Sequence, residues 1–186
     1  MKRLTQDFYE KSAIELAPEF LGKLLCRNIG GEIFKYRITE TECYCGEDDT
    51  ACHAHKGKTL RTKIMYEKGG AAYVYLCYGI HFMFNIVTGE KGSPEAVLVR
   101  AAGGYNGPGK LTKALKINIS LNAENLITSE KLWIEDDGAI LDYYTSPRIG
   151  IDYAADKDKN IHWRYVAKIK ADGGAEHDNK TRTYKK

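Results

Sequence analysis

A glutamate and an arginine, each embedded in a run of apolar or aromatic residues, are the groups of this chain best suited to chemistry. Glu42 lies in Thr39-Glu-Thr-Glu-Cys-Tyr44, a strand-like stretch in which a carboxylate is costly to bury unless it is paired or used. The competing reading is a solvent-facing strand residue, as Glu40 is expected to be. Arg100, at the end of Ala96-Val-Leu-Val-Arg100, is the natural partner. A glutamate that orients and deprotonates water, with an arginine that fixes the glutamate or the water, suits hydrolysis at a carbon that develops positive charge. Asn85 closes an apolar strand and offers an amide that can read the edge of a planar ligand or reject a wrong one.

Aromatic side chains surround this pair in sequence. Tyr44, Tyr75 and His53 can form a slot for a flat ring, and stacking a nucleobase on such side chains contributes about 1–3 kcal/mol. A positively charged base would bind better still, because aromatic faces attract cations. The run Tyr73-Val-Tyr-Leu-Cys-Tyr-Gly-Ile-His-Phe-Met-Phe-Asn85 alternates with the period of a strand and can reverse at Tyr78-Gly79. Read alone it is a core hairpin with half-buried tyrosines. Beside a base slot, Tyr78 at its tip is placed to wedge into a nucleic-acid stack and hold a nucleotide extruded.

Metal is the rival chemistry. Cys43, Cys45, Cys52, His53 and His55 would satisfy zinc by type and number, but Cys43 and Cys45 stand one residue apart where a finger needs two to four. On a strand both would also face away from Glu42 and Tyr44. That spacing argues against a metal, with buried or idle thiols as the plainer reading, and the chain holds no phosphate-binding glycine loop and no Ser-His-Asp order. Gly107-Pro-Gly-Lys110 is too short for such a loop and at most places a helix N-terminus near one phosphate.

The elements that must position these groups read as mixed α+β. A short helix over Ser12–Phe20, interrupted at Pro18, precedes two strands, Lys23–Arg27 and Glu32–Glu42, joined by Gly30-Gly31. Ile38, Glu40 and Glu42 are expected on one face of the second strand. Residues 46–63 form a polar loop in which Arg61-Thr-Lys63 can meet phosphates. Residues 110–117 read as a helix with Leu111, Ala114 and Leu115 inward and Lys110, Lys113 and Lys116 outward. Leu132–Ile134, Arg148–Ile151 and Trp163–Val166 are short strand candidates. The expected fold is a single mixed domain, residues 1–170, built on a curved antiparallel sheet with flanking helices and a protruding hairpin. Residues 171–186, polar and poor in core formers, are expected to fray.

Composition bounds the partners. The 186 residues carry 28 Lys and Arg against 25 Asp and Glu, a net charge of +3 that permits a local basic surface without requiring one. Five cysteines, an odd number, suit a reducing compartment better than a disulfide framework. The start lacks the apolar run of a secretory signal and no stretch reaches a membrane span, so a cytoplasmic protein without membrane association is expected.

The segment from Glu40 through Tyr44 to His53, the hairpin Tyr73–Asn85 and the strand Ala96–Arg100 together resemble the alkyladenine (3-methyladenine) DNA glycosylase family, the monofunctional type without a helix-hairpin-helix. Weaker similarity runs from Phe20-Leu-Gly-Lys23 through Gly107–Leu111 to Arg148-Ile-Gly150 and Trp163-Arg-Tyr165. The resemblance implies that Glu42 is the general base and that Arg100 helps hold the attacking water. It implies that Tyr44, His53, Tyr75 and Asn85 form the base pocket and that Tyr78 intercalates. The implied partner is double-stranded DNA carrying alkylated or deaminated purines, bound by a monomer that is nucleoid-associated when acting. The resemblance implies no metal and no cofactor, and the product would be a free base and an abasic site, without strand cleavage. The same hairpin would also serve a non-catalytic nucleic-acid-binding module, from which Glu42 is the discriminator. Cys43 and Cys45 depart from the family pattern, and thiols this close to the pocket are expected to make the protein sensitive to alkylation. Leu60–Met65 follows the family's proline-containing version only loosely.

Overall fold

The structure, a computed structural model, describes residues 1–169. The expected tail at 171–186 lies outside the described residues. Along the chain run β1 (Lys2–Arg3), α1 (Gln6–Tyr9), α2 (Ala13–Glu19), β2 (Leu24–Ile29), β3 (Glu32–Cys45), β4 (Ala72–Cys77), β5 (His81–Thr88), β6 (Glu95–Ala102), β7 (Tyr105–Asn106), α3 (Pro108–Ala114), β8 (Leu132–Asp136), β9 (Tyr143–Ser146), α4 (Asp156–Lys159) and β10 (Arg164–Ala167). The strands build one antiparallel sheet in the order β1-β8-β2-β3-β6-β5-β4, with β10 and β9 joined along β3 and β7 beside β6. The sheet stays open, and the fold is mixed α+β as the sequence pattern requires. No helix among the described residues is long and apolar enough to cross a membrane.

Strand alternation sorts the two faces. On one face Thr41 and Cys43 of β3, Val97 and Val99 of β6, Phe84 and Ile86 of β5, and Ala72 and Val74 of β4 are buried. All but Thr41 belong to the main core with Leu16 and Ala17 of α2 and Leu111 of α3. Thr41 instead donates its hydroxyl to the Ala17 carbonyl at 2.7 Å. The opposite face carries Glu42, Leu98, Asn85 and Tyr73, which the strand registers align in one row across β3, β6, β5 and β4.

Three expectations fail here for local reasons. Helix α2 is not broken at Pro18: a reciprocal cap between Ser12 and Glu15 starts it, and Pro18 falls in its last turn, where the Phe20 N–H still reaches the Leu16 carbonyl. Ile38 does not share a face with Glu42. The register shifts between Ile38 and Glu40, leaving Thr39 as an extra residue, so Ile38 points into the core and Glu40 to the other side. Arg148–Ile151 is no strand. Pro147 has no N–H to give a ladder, Gly150 takes φ +77°, and the Ile149 N–H is spent on a carboxylate; the strand of this region is β9, just before it.

Candidate active site

Glu42 is completely buried and receives three donors. Arg100 Nη1 reaches Oε2 at 3.1 Å, the Tyr44 hydroxyl reaches the same oxygen at 3.0 Å, and the Ile149 N–H reaches Oε1 at 2.8 Å. Burial pushes the Glu42 carboxyl above the usual carboxylate range, against the pull of Arg100, the Ile149 N–H and the Tyr44 hydroxyl. Arg100 does not end its strand as expected; β6 continues to Ala102. A second register shift produces its reach. Thr41 faces Val99 and Glu40 faces Ala101, so Arg100 is the bulged residue between them, and the bulge aims its guanidinium at both glutamates of β3. Glu40, expected in solvent, is instead mostly enclosed and paired with Arg100 at 2.8 Å and Arg164 at 2.6 Å.

In front of Glu42 opens a cleft of about 1130 Å³, lined among others by Tyr44, His53, Tyr75, Asn85, Arg100 and Ile149. The structure thus gathers the residues singled out from the sequence around one cavity, with Glu42 just behind the wall formed by its own three donors. Asn85, almost fully buried, donates Nδ2 to the Tyr73 carbonyl at 3.1 Å, which fixes its amide. His53 meets Tyr75 edge-on at 4.5 Å, an interplanar angle of 69°, so the two rings do not form a parallel slot. Its Nδ1 lies 2.9 Å from the Tyr73 hydroxyl and its Nε2 3.4 Å from Arg61 Nη2. A guanidinium can only donate, so Nε2 accepts and Nδ1 carries the proton. Burial, then the charges of Arg61 and Lys56, lower the His53 pKa to about 4, and the ring is neutral at physiological pH.

The hairpin of β4 and β5 ends in Tyr78, Gly79 and Ile80 between the paired Cys77 and His81. Tyr78 and Gly79 both take positive φ, +50° and +71°, and the Tyr78 side chain is 86% exposed. At its base Gly109 lets α3 approach, since a Cβ there would meet the His81 ring at 2.9 Å.

Sequence reasoning missed the support beneath Tyr44. The Arg148 guanidinium lies 4.8 Å from the Tyr44 ring and 5.0 Å from that of Trp163, and it is paired with Asp49. Arg148 was hidden inside an apparent strand, and Asp49 within a segment read as a polar loop. Arg61, expected to meet phosphates, rests over Tyr75 at 4.9 Å. Cys43 and Cys45 turn to the core side with their sulfurs 3.9 Å apart, and their mutual contact and burial push the Cys45 thiol up; neither lines the cleft. The thiols that do are Cys52, raised to about 11 by burial, and Cys77. The cysteines and histidines weighed as zinc ligands do not converge, and no metal-holding group of three such side chains occurs among the described residues.

The sequence matches the methylpurine-DNA glycosylase family over residues 7–105 and 103–171. It is 40% identical to a protein of Desulfitobacterium hafniense Y51 over 89% of this chain and 95% of that one. It is 37% identical to one of Natranaerobius thermophilus, over 88% and 94%, and 39% identical to one of Methanocella arvoryzae, over 90% and 94%. All three bear, provisionally, the name 3-methyladenine DNA glycosylase.

Proposed function

The chain belongs to the methylpurine-DNA glycosylase family, and on that premise we propose that it excises alkylated purines, chiefly 3-methyladenine, from duplex DNA by base flipping and hydrolysis. The observation that carries this reading is the fully buried Glu42 held by Arg100, Tyr44 and Ile149 at the wall of an aromatic cleft. An alkylated purine carrying positive charge departs as a neutral base, taking the electrons of the N-glycosylic bond, and leaves positive charge on the sugar carbon. Water attacks that carbon while Glu42 takes its proton. The product is an abasic site with both strands intact, because water rather than an amine is the nucleophile.

Glu42 is completely buried behind its donors, so water reaches it as one of them moves aside. Arg100 is the one that can yield, since its contact is the longest of the three and Glu40 anchors it independently. The neutral His53 ring adds no cationic charge beside a cationic base, and the Tyr44 and Tyr75 faces attract one. Arg61, now over Tyr75, has to swing away as the base enters. Tyr78 fills the space left in the stack.

The test is release of free base from methylated duplex DNA, with abasic sites scored and wild type compared with Glu42→Gln. Release of 3-methyladenine by wild type alone is expected, with binding of an abasic-site mimic nearly unchanged in the variant. Normal release by Glu42→Gln would remove Glu42 from the role of base. Binding without release by wild type would leave a nucleic-acid-binding module.

A further inference from the structure

Arg100 does not serve Glu42 alone. Its Nε donates to Glu40 Oε1 at 2.8 Å and its Nη1 to Glu42 Oε2 at 3.1 Å, so one guanidinium is divided between two carboxylates. Arg164 Nε donates to the same Glu40 oxygen at 2.6 Å, while its Nη1 is fixed by the Ser146 hydroxyl at 3.0 Å. Signs therefore alternate outward from the cleft: Glu42, Arg100, Glu40, Arg164. Side-chain exposure rises along the same chain through 0, 12, 14 and 20%, so charge buried at one end is connected to groups that touch solvent at the other.

We propose that Glu40 and Arg164 are positioning residues that set the proton affinity of Glu42 by controlling how Arg100 is shared. The proposal rests on the reading of Glu42 as the general base. It uses the strand period, which keeps Glu40 on the side of Glu42, and the bulge at Arg100, which presents the guanidinium to both. It also uses the register of β10, in which Arg164 stands directly opposite Glu42.

The groups facing Glu42 are few. From its own strand come Glu40 and the Tyr44 hydroxyl, from β6 Arg100, from β10 Arg164, and from the 147–151 segment the Ile149 N–H, with Arg148 and its partner Asp49 behind Tyr44. Among these, Arg100 draws the Glu42 carboxyl down and Glu40 pushes it up. Removing the Glu40 charge takes away a neighbouring anion and releases Arg100 to Glu42, and both effects favour the ionised base. Removing the Arg164 charge leaves Glu40 to compete harder for Arg100 and takes a cation away from Glu42, and both effects favour the protonated form.

Glu40→Gln and Arg164→Gln are the variants that test this, and partial exposure of both sites favours folded proteins. The first readout is the pH profile of kcat/KM for base release; the second is the ¹³C titration of the Glu42 carboxyl in the protein without DNA. The expected result is opposite movement of the midpoint, by about half a unit to one unit in each case, downward for Glu40→Gln and upward for Arg164→Gln. Midpoints that stay at the wild-type value, or move the same way in both variants, overturn the proposal, and a merely structural role predicts lower kcat with static midpoints. Should one variant not fold, the other retains its required direction. Opposite shifts in the ¹³C titration without base release by wild type would overturn the glycosylase reading while supporting the charge relay. Base release with immobile midpoints would do the reverse.

Discussion

Arg148 grips Asp49 through both ends of its guanidinium, Nη1 to Oδ2 at 2.6 Å and Nη2 to Oδ1 at 2.9 Å, and neither side chain reaches solvent by more than 1%. The pair joins two segments that border the cleft. Asp49 also accepts the N–H groups of Cys45 and Ala51, and Arg148 donates to the Cys43 carbonyl. Ile149, next in sequence, supplies the N–H that holds Glu42. The proposed base and the Tyr44 ring are thus supported by a charge pair that itself does not line the cleft.

Asp49→Ala leaves the Arg148 charge buried without its counterion and is expected to cost about 3–5 kcal/mol of stability. Urea unfolding of the single variant and of Asp49→Ala with Arg148→Met would check this. The double variant should be the more stable of the two, because it buries no unpaired charge. A single variant within experimental error of wild type would show that water or another group compensates the cation.

The strands that carry Glu42, Tyr75, Asn85 and Arg100 were legible in the sequence, because strand period and aromatic content are local signals that tertiary packing preserves, whereas the registers that align Glu42, Leu98, Asn85 and Tyr73 in one row were not. The hairpin tip was legible for the same reason, since a glycine beside Tyr78 marks a reversal. The bulges at Thr39 and Arg100 were not. A bulge is a mismatch between two strands some 60 residues apart, and neither strand alone carries its signature. It reversed the side on which Ile38 was expected and converted Glu40 from a solvent residue into a partner of Arg100. The Arg148–Asp49 pair escaped because charged residues in polar stretches read as surface until the fold encloses them. Arg148-Ile-Gly-Ile151 carried the pattern of a strand, and Pro147 was the local hint against it.

Acid should weaken the fold through His53. Its pKa is about 4 in the folded protein against an ordinary value near 6.5, so protons bind the unfolded chain more readily. This contribution to stability is complete above about pH 6.5 and is lost progressively as pH falls through the folded value near 4. The melting temperature of wild type should therefore drop across that window by more than that of His53→Gln, which has no such group. Parallel curves for the two proteins would mean that His53 titrates normally in the folded state.

Lys113 tests the orientation of α3. Lys110 and Lys113 are exposed on this helix and Lys116 just beyond its end, since the helix stops at Ala114 and not at residue 117 as expected; its first residue, Pro108, lines the cleft. If the helix follows a DNA backbone, Lys113→Ala should weaken binding to damaged and undamaged duplex alike and reduce the slope of log K against log salt by about 1. An unchanged slope would place the phosphates elsewhere.

Tyr78 should show stability and lesion recognition moving in opposite directions. A left-handed conformation costs a side-chain-bearing residue about 1–2 kcal/mol, and Tyr78, at φ +50°, recovers little by packing because it is 86% exposed. Tyr78→Gly should therefore leave the melting temperature unchanged or raise it, the relief of strain being partly offset by glycine's greater freedom when unfolded. Loss of a stacking ring worth about 1–3 kcal/mol should at the same time weaken binding of a lesion-containing duplex by about 5- to 150-fold. Affinity for undamaged duplex, carried mainly by phosphate contacts, should change far less. Calorimetry and titration of the two duplexes separate the alternatives: equal weakening on both would make Tyr78 a general DNA contact, whereas selective weakening is what a wedge required only when a nucleotide is extruded must produce.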